Sequence, residues 1–176
     1  LLPQFAKILG FDLLKNGIKI IPAGGKNQVV KLYYSLSEEL KLPIFVLLDK
    51  DAIENVNTIN KKLRKSDSVY LLNSGEFEDL LTKPLILKTI NSDLKNFATV
   101  SIEDISKDEP MVKILEEIFK EKGLHEFKKA EFAHLVKQQI STENDISDEI
   151  KLIIDDIKKL SLSNSFRQRI VKLQTS

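Results

Sequence analysis

The chain has no cysteine. That excludes disulfides and thiolate metal sites and is compatible with a reducing cytosol. No apolar run approaches the roughly 20 residues that span a bilayer, and the opening residues show no signal-peptide pattern. The expectation is a cytoplasmic protein with no membrane partner. Net charge is nearly absent too: 27 basic against 26 acidic side chains leave +1, so gross electrostatics neither demands nor excludes nucleic acid. Internal repeats and low-complexity tracts are also missing. What remains is 176 residues, 42% hydrophobic and 30% charged, enough for one ordinary soluble domain or one with a small appendage. The chain opens on Leu1 in an apolar helix-like pattern, as expected of a piece cut from something longer.

The most informative stretch runs from Pro43 to Asp51. Five apolar residues, Ile44 to Leu48, predict a short strand buried on both faces. It ends in Asp49 and Asp51, spaced i, i+2, which in extended chain puts both carboxylates on one side and Lys50 on the other. Two like charges a few ångströms apart repel by roughly 1–4 kcal/mol at surface-like dielectric. A hard divalent cation reverses that balance, because it takes carboxylate oxygens directly. The carboxyl ends of strands in open α/β sheets are also where ligands bind. The alternative is a solvated turn with Asp51 capping the next helix.

Around this stretch the pattern alternates. Residues 1–9 predict a helix closed by Gly10, and residues 18–21 a strand stopped by Pro22. Residues 29–41 predict an amphipathic helix, residues 52–65 another, and residues 68–72 a further strand. Helices between strands mean a parallel sheet. The second half is helical: residues 85–90, 111–122 (Ile114, Leu115, Ile118 and Phe119 inward), 129–140 (Phe132, Leu135 and Val136 inward) and 150–160. Residues 99–108 and 142–149 read as polar connections, and the tail from residue 161, with Arg167, Arg169 and Lys172, as a segment that frays.

Several motifs carry chemistry or deny it. Gly24-Gly25-Lys26 lacks the Walker A pattern, with Ile20 where the first glycine belongs and Asn27 where Ser or Thr should follow. No dinucleotide fingerprint exists. Two glycines remain that either make a tight turn or let backbone amides approach a phosphate at a helix N-terminus. An EF-hand starting at Asp49 is excluded, because Ile53 and Glu54 occupy its fifth and sixth positions. Glu76, Glu78 and Asp79 form a second acidic cluster. By itself this could be a helix's first turn capped by Ser74; paired with Asp49 and Asp51 at a neighbouring strand end, it could hold a divalent metal. His125 and His134 have no partner at a ligand or triad spacing. Tyr33 and Tyr34 read as partial core, and Lys128, Lys129 and Lys137 as a solvated helix face.

Gly24-Gly25-Lys26, then Leu47-Leu48-Asp49-Lys50-Asp51, then Gly75-Glu76-Phe77-Glu78-Asp79-Leu80-Leu81 resemble, in this order and spacing, a Toprim domain. More narrowly they are similar to the Toprim domain of OLD-family (overcoming lysogenization defect) nucleases. Ile20-Ile21-Pro22-Ala23-Gly24-Gly25-Lys26 and Lys129-Ala130-Glu131-Phe132-Ala133 support the narrower likeness. The resemblance implies an α/β, Rossmann-like, mostly parallel sheet flanked by helices. The Toprim part would cover residues 1–100, and residues 101–176 would form a helical extension packing on it.

The activity implied is metal-dependent endonuclease cleavage or nicking of DNA phosphodiesters with two Mg²⁺ or Mn²⁺ ions, in a phage-defence setting. Asp49 and Asp51 map to the metal-binding pair, Glu78 to the glutamate of the Glu-Asp-Leu-Leu element, and Glu76 to a residue bordering the metals. A lysine assisting near the phosphate maps to Lys129, with Lys128 the alternative register. The family also carries a glutamate in a Glu-Gly context on a strand ahead of the first helix, and an upstream ATPase domain through which ATP would act. Neither is in this chain, so the piece alone is expected to cleave weakly or not at all. Implied partners are DNA, the upstream ATPase domain and further copies of the parent chain. The alternative is a non-catalytic Toprim-fold module for dimerisation or docking, motivated by the missing glutamate and the long amphipathic helices after Ile90.

Overall fold

The computed structural model describes residues 1–94, 99–123 and 126–173, and side chains in the last stretch as far as Leu162. His125 and the tail cations Arg167, Arg169 and Lys172 therefore lie outside the described residues or side chains. In chain order the elements are α1 (Leu2–Ile8), α2 (Lys26–Glu39), β1 (Phe45–Leu48), α3 (Ile53–Asn60), β2 (Ser68–Leu71), α4 (Lys83–Asp93), α5 (Met111–Glu121), α6 (Lys129–Gln139) and α7 (Asp148–Leu173). Short 3₁₀ turns occupy Phe77–Leu80 and Glu143–Asp145. Among the described residues no helix is long and apolar enough to cross a membrane. The chain divides into two compact units, Asp12–Ser74 with Leu152–Ser176, and Leu1–Phe11 with Gly75–Lys151.

In the unit containing Asp12–Ser74, β1 and β2 pair in parallel, Phe45 opposite Ser68 and Leu48 opposite Leu71. The crossover between them is α3, as a parallel pair requires. Val46 and Leu48 are buried with Tyr33, Ala52 and Ile59, and Val29, Val30 and Val56 pack around them. Phe45 and Leu47 on the opposite face are only half-buried, and Phe45 stacks on Tyr70 with ring centroids 6.5 Å apart. The strand expected to be buried on both faces is therefore buried on one.

The strand expected at residues 18–21 does not form: residues 18–23 have no regular structure, and Ile20 and Ile21 are each nearly half exposed. A short isoleucine-rich stretch becomes a strand only when a ladder partner and a face to bury are supplied. Here neither is. The sheet is two-stranded among the described residues. The fold is thus mixed helix and strand around a small parallel pair, a narrower result than the extended sheet expected.

A buried polar node holds this unit together. Asp67, with no exposed side-chain surface, accepts hydrogen bonds from Arg64 Nε (2.7 Å), Arg64 Nη2 (2.9 Å), the Tyr33 hydroxyl (2.9 Å), the Ile44 N–H (3.1 Å) and the Ser66 hydroxyl (3.0 Å). Arg64 donates in turn to the carbonyls of Ser37 (2.9 Å), Leu40 and Leu42 (2.9 Å). One ion pair thereby fastens the end of α2, the entry to β1 and the entry to β2. Burial alone would raise the Asp67 carboxyl, but the hydrogen bonds from Arg64, Tyr33, Ile44 and Ser66 outweigh it and hold it below the ordinary value.

In the other unit the helical periodicity is realised closely. α5 buries Met111, Ile114, Leu115, Ile118 and Phe119, one stripe at i, i+3, i+4, i+7 and i+8. Phe127 meets Phe119 edge-on at 5.3 Å and Phe132 at 5.5 Å. α6 buries Phe132 and Val136 and packs on α4, which spans Lys83–Asp93 rather than residues 85–90 alone. α7 begins at Asp148 and continues to Leu173, past residue 160 where the helix was expected to end.

Candidate functional site

At the carboxyl end of β1 the chain turns immediately. The Ala52 N–H donates to the Asp49 carbonyl at 3.0 Å, so Asp49 to Ala52 form a turn and not the extended chain assumed from the i, i+2 spacing. Asp49 and Asp51 are both exposed. Asp51 does not cap the next helix: Ala52 is the N-cap of α3, without a side-chain hydrogen bond. The Asp51 carboxylate instead accepts from Lys26 Nζ at 2.6 Å. The capping role of Asp51 thus gives way to an ion pair with Lys26, and the two carboxylates project from a turn in place of an extended strand.

That lysine is the first residue of α2. Gly24 (φ +79°) and Gly25 (φ +142°) precede it, backbone that L side chains rarely adopt. A Cβ on either would meet nothing within 4 Å, so the glycines serve backbone conformation and not a tight fit. Gly24, Gly25, Lys26, Leu48 and Asp49 line one cavity of about 150 Å³. The glycine turn and the acidic turn, separate motifs in sequence, border the same space within this unit.

The second acidic stretch lies in the other unit, and its carboxylates divide their work. Asp79 Oδ2 accepts from the Glu76 N–H at 2.7 Å, and Asp79 Oδ1 from the Met111 N–H at 2.7 Å. Asp79 therefore ties the 3₁₀ turn to the start of α5. Glu76, not Ser74, is the N-cap of that turn, in a reciprocal capping box with Asp79. Gly75, at φ +33°, sits so close that an added Cβ would lie 1.8 Å from Asp79 Oδ2. Gly75→Ala is expected to destabilise by about 1–3 kcal/mol, from overpacking and a strained backbone together. Urea unfolding followed by far-UV circular dichroism measures it.

Glu76 also forms an ion pair through Oε2 with Lys129 Nζ, each side chain close to half exposed. Lys128, the alternative register, pairs with Glu131 on its own helix at 3.1 Å. Glu78 stands half-buried inside the 3₁₀ turn, its carbonyl accepting from the Leu81 N–H at 3.2 Å. His134 and Lys137 are exposed on α6. Tyr33 is buried in the Asp67 node, and Tyr34 donates to the Thr58 carbonyl at 2.6 Å.

So Asp49 and Asp51 belong to one unit, and Glu76, Glu78 and Lys129 to the other. Among the described residues no group of three or more His, Asp or Glu side chains is close enough to hold an ion. A carboxylate pair is still an adequate magnesium donor set, because Mg²⁺ keeps several waters and is commonly held by one or two carboxylates plus substrate phosphate. Sequence reasoning missed the Arg64–Asp67 node, the structural use of Asp79 and the Lys26–Asp51 pair. Of these only Arg64–Asp67 has a local signal, an i, i+3 charge pair in the link between α3 and β2.

The geometry defines a mixed helix–strand protein with an acidic turn at the end of a parallel strand. Residues 1–51 match the family model described as Overcoming lysogenization defect protein-like, TOPRIM domain, the family that the motifs resemble. The matched segment contains Gly24-Gly25-Lys26 and ends on Asp51, so it holds both halves of the cavity rim. No curated protein and no solved structure matches the chain. At the level of that family, the match points to a nuclease-related function.

Proposed function

We propose that the chain is the Toprim part of an ATPase-coupled OLD-type nuclease that cuts or nicks DNA with the help of Mg²⁺ or Mn²⁺. The observation that carries this reading is that the family-matched segment contains both the Asp49–Asp51 turn and Gly24, Gly25 and Lys26, which line one cavity with Asp49. Asp49 and Asp51 would hold a divalent ion. Resemblance assigns metal ligation to Glu76 and Glu78 too, and a further catalytic role to Glu78. Two bound ions would supply stabilisation of the attacking and leaving oxygens of a phosphodiester. The chain's own contribution is a hard-oxygen donor set, a glycine backbone that a phosphate can approach, and the Lys129 ammonium. Lys129 would place a positive charge against developing phosphate charge. The remaining partners of this reading are DNA, an upstream ATPase domain and further copies of the parent chain, in the cytoplasm.

Calorimetric titration of the chain with Mn²⁺ tests the reading. Saturable binding is expected, weakened by about tenfold or more in Asp49→Ala/Asp51→Ala, since two of the donors are gone. Equal binding by wild type and double variant would remove the site assignment. Cleavage is to be assayed in the full-length parent protein. There, Lys129→Ala should lower turnover by about 100- to 1,000-fold, the scale of one electrostatic contact to a transition state. Its melting temperature should barely move, because an exposed ion pair is worth about 0–1 kcal/mol. An unchanged rate would return Lys129 to the surface.

A further inference from the structure

We propose that Lys26 is the resident counter-cation of the Asp49–Asp51 turn: a side chain that a divalent ion must displace, and that thereby sets the threshold for metal loading. The inference rests on the metal reading above and adds a regulator to it. Lys26 opens α2 at the positive end of the helix dipole, and no acidic residue in the first turn of α2 balances it. Its ammonium crosses instead to the Asp51 carboxylate at 2.6 Å, with the Asp51 carbonyl a further acceptor at 3.5 Å. An ammonium and a dication cannot both occupy that carboxylate face without strong repulsion.

The pair is also built to open. Its side chains are 45% and 73% exposed, so holding it closed gains little against water. The backbone beneath is held independently: Asn55 Nδ2 donates to Asn27 Oδ1 at 2.9 Å and to the Lys26 carbonyl at 3.4 Å, joining the start of α2 to α3. The ammonium can therefore leave Asp51 while the start of α2 stays in place. The cavity bordered by Lys26 and Asp49, about 150 Å³, is wide enough to admit water beside the turn. A released Lys26 would then stand at the α2 N-terminus beside the Gly24–Gly25 amides, where an anion is favoured. Metal binding at Asp51 would in that way free a cation for phosphate.

The test is Mn²⁺ titration of the whole 176-residue chain as wild type, Lys26→Met, Lys26→Arg and Asp51→Asn, with Lys26→Gln as a second neutral variant should Lys26→Met melt early. The neutral variants should bind Mn²⁺ about three- to tenfold more tightly, the range expected for relieving one exposed ion pair and one charge repulsion. Lys26→Arg should stay within about twofold of wild type, because it keeps the cation. In an Asp51→Asn background, Lys26→Met should bring no gain, since a double-mutant cycle isolates the pair. If Asp51→Asn weakens binding but neither neutral variant tightens it, the role of Lys26 is overturned while the metal reading stands. If wild type, the neutral variants and Asp51→Asn all fail to bind, both are overturned.

Discussion

Asp67→Ala should destabilise the unit containing Asp12–Ser74 by about 3–5 kcal/mol, the usual cost of removing one partner of a buried ion pair. The substitution leaves Arg64, the Tyr33 hydroxyl, the Ile44 N–H and the Ser66 hydroxyl without their shared acceptor. Arg64 keeps its three carbonyl partners but loses the charge that offsets its desolvation. Asp67→Asn, which retains one acceptor oxygen, should cost less. The readout is selective, because the three tyrosines of the chain, Tyr33, Tyr34 and Tyr70, all lie in this unit and there is no tryptophan. Tyrosine fluorescence in urea should shift to a markedly lower midpoint in Asp67→Ala. An unshifted transition would mean that the node is dispensable.

The same residue gives a pH dependence of determined sign. Its carboxyl is held below the ordinary value in the folded state, so folding favours the charged form. The stabilisation is complete above the unfolded carboxyl range near about pH 4 and is lost as pH falls through the lower folded value. Between those two values wild type should lose stability on acidification more steeply than Asp67→Asn, as read by tyrosine fluorescence. Parallel slopes would contradict the assignment.

Asp79→Ala carries the second large effect, about 2–4 kcal/mol, and acts in the other unit. It removes the acceptor of two backbone donors, the N–H groups of Glu76 and Met111, and with them the capping box. Each donor orphaned away from water costs about 1–3 kcal/mol. The far-UV circular dichroism transition, to which α4, α5 and α6 contribute, should move more than the tyrosine transition. Asp79→Asn should recover part of the loss, since an amide oxygen still accepts.

The contrast between Asp79 and Glu76 shows how far the pattern of residues could be read. Three acids in four positions announce an acidic stretch but not its division of labour. Which one accepts from Met111, 32 residues further on, depends on how the 3₁₀ turn meets the start of α5. The helices were more legible. The buried stripe of α5 and the inward Phe132 and Val136 of α6 follow from a 3.6-residue period, which is a property of neighbours in sequence. Residues 18–21 have a strand's composition as well, yet Ile20 and Ile21 stay half exposed because pairing is a non-local condition that composition cannot supply.

By itself, then, the sequence determined that α2, α3 and the helices from α4 to α7 form, that β1 and β2 are strands joined by a helix and so run parallel, and that Gly24-Gly25-Lys26 and Asp49-Lys50-Asp51 lie in a segment that matches the OLD-like Toprim model. These follow from short-range periodicity, turn residues and motif spacing. Only the tertiary structure decided that Asp51 faces Lys26, that Lys129 and not Lys128 reaches Glu76, and that Asp67 with Arg64 fastens one unit. Lys26–Asp51 and Lys129–Glu76 join residues 25 and 53 positions apart, while the Asp67 node gathers Tyr33 from 34 positions away. Such contacts arise from how loops close and elements pack, because a charge finds whichever partner the fold brings within about 3 Å, and no local pattern encodes that distance.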